Sequence, residues 1–184
     1  MSLSETVVNT HTLAFLVFGP HRFRILSKCV KIKDNRMLAC LSVRPAKLSD
    51  LPAILAIETA CFGPDAYDRK LFAELHRKCG GLFLVAMAGT KVIAYAVTCA
   101  NPKSAELVSI AVSPRHRTRG AASALMDSTL RRLRRRNVPK FKLMVKVSNT
   151  PAIAFYRKYA FRKLRRVAGY YEDDSDGFLF VRFL

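Results

Sequence analysis

The chain has 184 residues, 51% of them hydrophobic, which is enough for one globular domain with a substantial core. Its 32 lysines and arginines face only 13 aspartates and glutamates, a formal net charge of +19; that sign draws nucleic acid, phosphorylated cofactors or anionic lipid surfaces and excludes a polycationic substrate. Five cysteines (Cys29, Cys40, Cys61, Cys79, Cys99) at no short paired spacing give neither a zinc signature nor a disulfide framework and fit a reducing cytosol, four scattered histidines suggest no metal site, and no apolar run approaches the ~18 residues of a membrane span.

Residues 1–36 read as an appendage to a domain at 37–184. The apolar stretch 13–18 is short, and the basic segment 21–33 follows it, whereas a secretory signal carries its basic residues first. A targeting or ribosome-contacting tail and an over-extended start are both compatible with that pattern.

Beyond Met37, residues 41–46 (LSVRPA) alternate like a strand, and Ser49-Asp50 offers a side-chain oxygen to cap a following helix. On that helix Leu51, Ile54, Leu55, Glu58 and then Cys61 or Phe62 recur at helical spacing until Gly63-Pro64 breaks it. A second helix over 68–78 buries Leu71, Phe72 and Leu75 and stops at Gly80-Gly81. A hairpin follows, 82–88 and 91–99 about a Gly89-Thr90 turn, and then a strand over 106–112. The helix after Gly120 places Leu125, Met126, Leu130 and Leu133 on one face and ends in an arginine-rich run, 131–136, at the carbonyl end of its dipole. A strand over 141–147, a helix from Thr150 with Pro151 in its first turn, and strands 163–168 and 177–183 about a polar tip complete the chain. This β-α-α-β-β-β-α-β-α-β-β order makes an α+β fold with a mixed sheet. Its hairpins are antiparallel, and strands 106–112 and 141–147, joined through a helix, must be parallel.

Chemistry concentrates where strand 106–112 runs through Ser113-Pro-Arg-His-Arg-Thr-Arg119 into Gly120. A strand, a short loop and a glycine at a helix start point consecutive backbone amides into one concavity, and the helix dipole adds to their pull on an anion. Gly120 lets the backbone approach a ligand, Ala121, Ala122 and Ser123 are too small to block it, and Arg117 and Arg119 can add charge-assisted bonds.

Arg117-Thr118-Arg119-Gly120-Ala121-Ala122 resembles the pyrophosphate loop of the GNAT superfamily of acetyl-CoA-dependent N-acetyltransferases. Asn149 through Tyr156 to Phe161 is similar to the family's Asn-x-x-Ala-x-x-x-Tyr-x-x-x-Gly-Phe segment, with Ala160 in place of glycine. The Gly169-to-Gly177 tip resembles the tyrosine-bearing loop of N-terminal protein acetyltransferases, including the ribosomal-protein alanine acetyltransferases. The resemblance, over about 41–184, implies a mixed, mostly antiparallel sheet with a splayed parallel pair flanked by helices, and acetyl-CoA as donor. It implies that the backbone of Ile110, Ala111 and Val112 bonds the pantetheine arm, that Asn149 supports it, and that Tyr156 protonates the departing thiolate. Phe62, Tyr67, Tyr170 and Tyr171 then grip the acceptor.

The reaction so implied is direct attack of a neutral amine on the thioester, the oxyanion being held by backbone donors. Roughly a tenth to a quarter of α-amino groups are neutral near pH 7 against well under a hundredth of lysines, so an N-terminal enzyme needs only a mild base. Met144 stands where the ribosomal-protein enzymes tend to carry a catalytic glutamate, which leaves Glu106 as the candidate base. Expected partners are a protein amino terminus or another amine in the cytoplasm. The 131–136 run with Lys140 and Lys142 reads either as a solvated face or as an RNA or ribosome contact, which leaves a small-amine or lysine acetyltransferase and a non-catalytic basic adaptor as competing readings.

Overall fold

The computed structural model describes residues 41–184; the expected appendage at 1–36 lies outside the described residues. Strands β1 (Leu41–Pro45), β2 (Phe83–Ala88), β3 (Lys91–Ala100), β4 (Ala105–Val112), β5 (Lys140–Lys146), β6 (Arg162–Val167) and β7 (Gly177–Phe183) form one sheet in the order β1-β2-β3-β4-β5-β7-β6. Every neighbouring pair is antiparallel except β4 with β5, as the crossover rule requires.

The central strands are apolar on both faces, and this demands a helical layer on each side. Along the second strand, Phe83, Val85 and Met87 point toward α1 (Leu51–Phe62) and α2 (Arg69–Cys79), while Leu84 and Ala86 point toward α3 (Ala121–Arg135) and α4 (Thr150–Lys158). Phe72 of α2 is fully buried edge-on against Tyr95 of β3 at 5.4 Å between ring centroids, a burial that contributes about 1.5–3 kcal/mol. Leu125, Met126, Leu130 and Leu133 are all buried, as their spacing predicts, whereas Leu71 is only half-buried.

Two local expectations are corrected. Asp50 precedes the first helix without capping it; its carboxylate turns back to accept the Lys47 amide at 2.7 Å and a bidentate pair of bonds from Arg44 at 2.6 and 2.8 Å. The Arg44 hydrogen bonds hold its carboxyl below the usual carboxylate range. Cys79 and Cys99, read as unpaired, are joined as a disulfide with their Cα atoms 4.6 Å apart, because the end of α2 comes to lie against β3.

The α4 terminus is built without the family's glycine. Phe161 donates its amide to the Tyr156 carbonyl at 3.1 Å and Ala160 donates to Arg157 at 2.9 Å, the paired bonds of a Schellman ending, with Phe161 packed on Tyr156. Ala160 therefore takes a left-handed conformation, φ 57°, that its Cβ disfavours.

A second carboxylate lies deeper than Asp50, inside the core. Glu58 of α1 is 1% exposed; its Oε1 accepts the Tyr67 amide at 3.1 Å and its Oε2 accepts the Tyr95 hydroxyl, which also lies 2.8 Å from Ser109 Oγ on β4. This network ties the α1–α2 connection to two strands of the sheet. Burial pushes the carboxyl pKa up, against the pull of its two hydrogen bonds.

Two outcomes are expected from these features. Ala160→Gly relieves the left-handed strain and raises stability by about 1 kcal/mol, a gain of about 2–4 °C in Tm by thermal unfolding. Because the folded pKa of Glu58 lies above its unfolded value of about 4.3, its contribution to stability is fully present below that pH and is lost as pH rises through the folded pKa. Glu58→Gln keeps an acceptor for Tyr67 and removes the titration. In denaturant unfolding from pH 4 to pH 7, the variant should therefore gain on wild type as pH rises, and an unchanged difference between the two would contradict the raised pKa.

Candidate active site

The two parallel strands stay together for only three residue pairs, Ala105 with Phe141, Glu106 with Lys142 and Leu107 with Leu143. Beyond Leu107, β4 continues against β3 as far as Val112 opposite Ala94, while β5 continues against β7. The backbone of Ser109, Ile110, Ala111 and Val112 thus has one edge in the sheet and one turned into the widening gap. Ile110 and Val112 lean to the α3–α4 side, and Ala111 is buried on the α1–α2 side.

The gap leads into the loop before α3. Thr118 and Gly120 both take left-handed conformations, φ 62° and 83°, and the first bond of the helix is from the Ala124 amide to the Gly120 carbonyl at 2.9 Å. No side chain caps this helix. The amides of Ala121, Ala122 and Ser123 therefore point outward from the positive end of a 15-residue helix, which is the geometry of an anion site. A Cβ built on Gly120 would meet nothing within 4 Å and would project into that open space. Arg119 is exposed beside it, whereas Arg117 reaches the other way, its Nη2 3.6 Å from Cys61 Sγ, and that thiol donates to the Val112 carbonyl at 3.4 Å.

Asn149 caps α4, its Oδ1 accepting the Ala152 amide at 3.2 Å, and the far end of the following turn is held by the Tyr159 hydroxyl donating to the Ser123 carbonyl at 3.2 Å. Tyr156 is 6% exposed among Phe155 and Phe161, and no described residue hydrogen-bonds its hydroxyl. Burial, with a smaller effect of Tyr171, drives its pKa well above the ordinary phenol value. The phenol therefore keeps its proton at neutral pH and can act as a donor, never as a base.

On the opposite side of the sheet a mouth forms from distant pieces of chain. Phe62 and Tyr67, 41% and 37% exposed, rise from the end of α1 and from the connection to α2. Tyr170 and Tyr171 stand edge to face at 5.1 Å on the β6–β7 tip. Desolvation raises the pKa of both, Tyr171 to about 12, and the nearness of Tyr67 adds to each rise. Acidic residues brace the tip: Asp173 pairs with Lys146 at 2.5 Å, and Asp176 accepts from Arg166 and from the Gly169 amide. Glu106, whose charge is felt by Tyr170, makes an ion pair with Lys142 at 2.9 Å. Met144 lies against Gly177, as does the Tyr170 ring.

Sequence reasoning missed Glu58 as a site residue, counting it only as a member of the helical stripe. A carboxylate within the otherwise apolar series Leu51, Ile54, Ile57 was the available signal. Its bond to the Tyr67 amide makes it the anchor of one wall of the mouth.

Residues 51–161 match the model of the acetyltransferase (GNAT) family. The N-alpha-acetyltransferase of Saccharolobus solfataricus is 30% identical over 154 residues, 77% of this chain and 92% of that protein. The ribosomal protein bS18-alanine N-acetyltransferase of Escherichia coli K12 is 29% identical over 130 residues, 71% of this chain and 86% of its own length. Among solved structures, Ard1 from Thermoplasma volcanium superposes with a TM-score of 0.75 at 28% identity, covering 78% of this chain and 97% of that one. Splayed strands, an uncapped glycine-led helix and a buried tyrosine thus coincide with these likenesses in sequence and fold, and the chain belongs to the GNAT acetyltransferase family.

Proposed function

We propose that this acetyltransferase moves the acetyl group of acetyl-CoA to the α-amino group of a protein amino terminus, by direct attack with both substrates bound. The observation that carries the reading is the gap between β4 and β5, which opens on one side to the Gly120 helix start and on the other to the tyrosine mouth. Two substrates entering from opposite sides of the sheet would meet at Ile110–Val112.

In this reading the amides of Gly120 to Ser123 hold the diphosphate with help from Thr118 and Arg119, and Arg117 closes the loop against α1 through Cys61. The free edge of Ile110, Ala111 and Val112 bonds the pantetheine arm as an added strand and supplies a donor to the developing oxyanion. Asn149 acts through the α4 start that it caps, and Tyr156 delivers its retained proton to the departing thiolate. Phe62 and Tyr67 face Tyr170 and Tyr171 across the entering peptide, with Glu58 fixing the first wall.

The choice of acceptor follows from the base. Glu106 is held by Lys142 and Met144 offers no carboxylate, so the site has only weak means of deprotonating an amine. An α-amino group, titrating near ~8, tolerates that deficit far better than a lysine near ~10.4. The relatives named for N-terminal and ribosomal-protein acetylation support the same acceptor, with a ribosomal protein among the candidate substrates. The proposed setting is the cytoplasm. No helix among the described residues is long and apolar enough to cross a membrane.

Acetyl transfer from radiolabelled acetyl-CoA to peptides with free and with blocked amino termini tests the proposal. Label on free termini alone is expected; label on blocked lysine peptides would reassign the acceptor, and coenzyme binding without transfer would leave an adaptor. Tyr156→Phe should lower kcat by about a hundredfold while leaving the acetyl-CoA KM within about twofold, because its proton moves only as the thiolate forms. An unchanged kcat would remove it from the mechanism.

A further inference from the structure

Away from the substrate gap, α3, the end of α4 and β7 enclose a groove of about 400 Å³ lined by Asp127, Leu130, Arg131, Arg134, Tyr159 and Arg182. Arg182 is rooted there, donating from Nη1 to the Tyr159 carbonyl at the end of α4, a bond that uses one of its five N–H donors. Arg131 and Arg134 sit one helical turn apart on the same face of α3, with Arg135 continuing the basic run.

These cations exceed what the fold itself requires. A helix end carries about half a negative charge, whereas five arginines occupy 131–136 beside it. The ion pairs among the described residues are Arg44–Asp50, Glu106–Lys142, Lys146–Asp173 and Arg166–Asp176, and none reaches Arg131, Arg134 or Arg182. The crowding has an electrostatic cost: Arg132 is destabilised as a cation by burial and by Arg136, Arg131 and Arg135, and Arg182 by burial and by Arg134. Within the groove Asp127 alone opposes them.

We propose that this groove binds the phosphate backbone of RNA, so that the enzyme docks on a ribonucleoprotein while the opposite side of its sheet works on an amino terminus. The groove is a shallow, open one, with planar guanidinium donors that fit phosphate oxygens. A flat lipid surface fits it less well, because among the described residues the exposed large apolar side chains lie outside it, Leu164 and Phe183 on β6 and β7, Phe62, Tyr67 and Tyr170 at the mouth, and Leu48 before α1. The acceptor class rests on the proposed function, but RNA binding is read without any acetyl transfer.

The test uses the full chain, a fluorescent RNA hairpin and anisotropy across a salt series. Arg131→Ser with Arg134→Ser should weaken binding about tenfold and lower the slope of log K against log salt by about two, one for each phosphate no longer neutralised. Acetyl-CoA affinity, measured in parallel, should stay unchanged and so certify the fold. A control pair on the exposed end of α2, Arg77→Ser with Lys78→Ser, should leave RNA binding within about twofold. An equal loss in both pairs would show a diffuse charge effect and overturn the groove. So would unchanged RNA binding in the α3 pair, or a protein that binds vesicles of phosphatidylcholine and phosphatidylserine but not the hairpin.

Discussion

The separation of β4 from β5 after three residue pairs is the constraint on which the rest depends. A sheet that stayed paired would satisfy every backbone group of Ile110, Ala111 and Val112 internally and leave nothing for a ligand to bond. The parting is enforced from both sides. The β3–β4 register shifts by a bulge between Val97 and Thr98, which turns the end of β4, while β5 is committed along its whole length to β7, from Lys140 opposite Phe183 to Lys146 opposite Gly177. Helix α3 leaves the end of β4 and α4 leaves the end of β5, so a single divergence places a helix start, a strand edge and Tyr156 around one gap.

A second consequence concerns rigidity. The mouth is made from loops, and loops alone hold side chains poorly. Here each wall is fastened by a carboxylate with different surroundings. Glu58 works from inside the core, where its charge is expensive and two hydrogen bonds offset only part of the desolvation. Asp173 and Asp176 work at the surface, where Lys146 stabilises the charged form of the first, and the Gly169 amide and then Arg166 that of the second, lowering both pKa values. Ionisation of Glu58 costs stability through desolvation even as it strengthens the carboxylate's two hydrogen bonds, whereas protonation of Asp173 and Asp176 loosens the tip, so the two walls contribute to stability with opposite dependence on pH.

Local rules carried most of the fold. Alternation in the central hairpin, the stripe of Leu125, Met126, Leu130 and Leu133, and the crossover rule were enough for element order and strand direction. What escaped was pairing between residues far apart in the chain. Cys79 with Cys99, Glu58 with Tyr95 and Glu106 with Lys142 are partners only once helices lie on the sheet and strands take their register. Asp50 escaped for a smaller reason: its oxygen had two possible employers, and Arg44 on the preceding strand outcompeted the helix amides. The loop at Gly120 was legible because its chemistry is local, a glycine and small residues at a helix start.

Where the charge excess is felt follows from how the acidic residues are used. Asp50 is held by Arg44, Asp68 caps α2, Glu58 is buried, Glu106 holds Lys142, and Asp173 and Asp176 brace the tip. Each of these carboxylates answers a nearby structural need, and none of them neutralises the arginines of α3 or of the Gly120 loop. The resulting field then acts at both ends of α3 at once. It raises the local concentration of a donor carrying phosphates at one end of α3 and of a phosphate polymer at the other. A helix with its positive end free and arginines crowded at its negative end carries positive potential at both ends, so one element would serve the proposed capture of a small anionic substrate and the proposed docking on a large one.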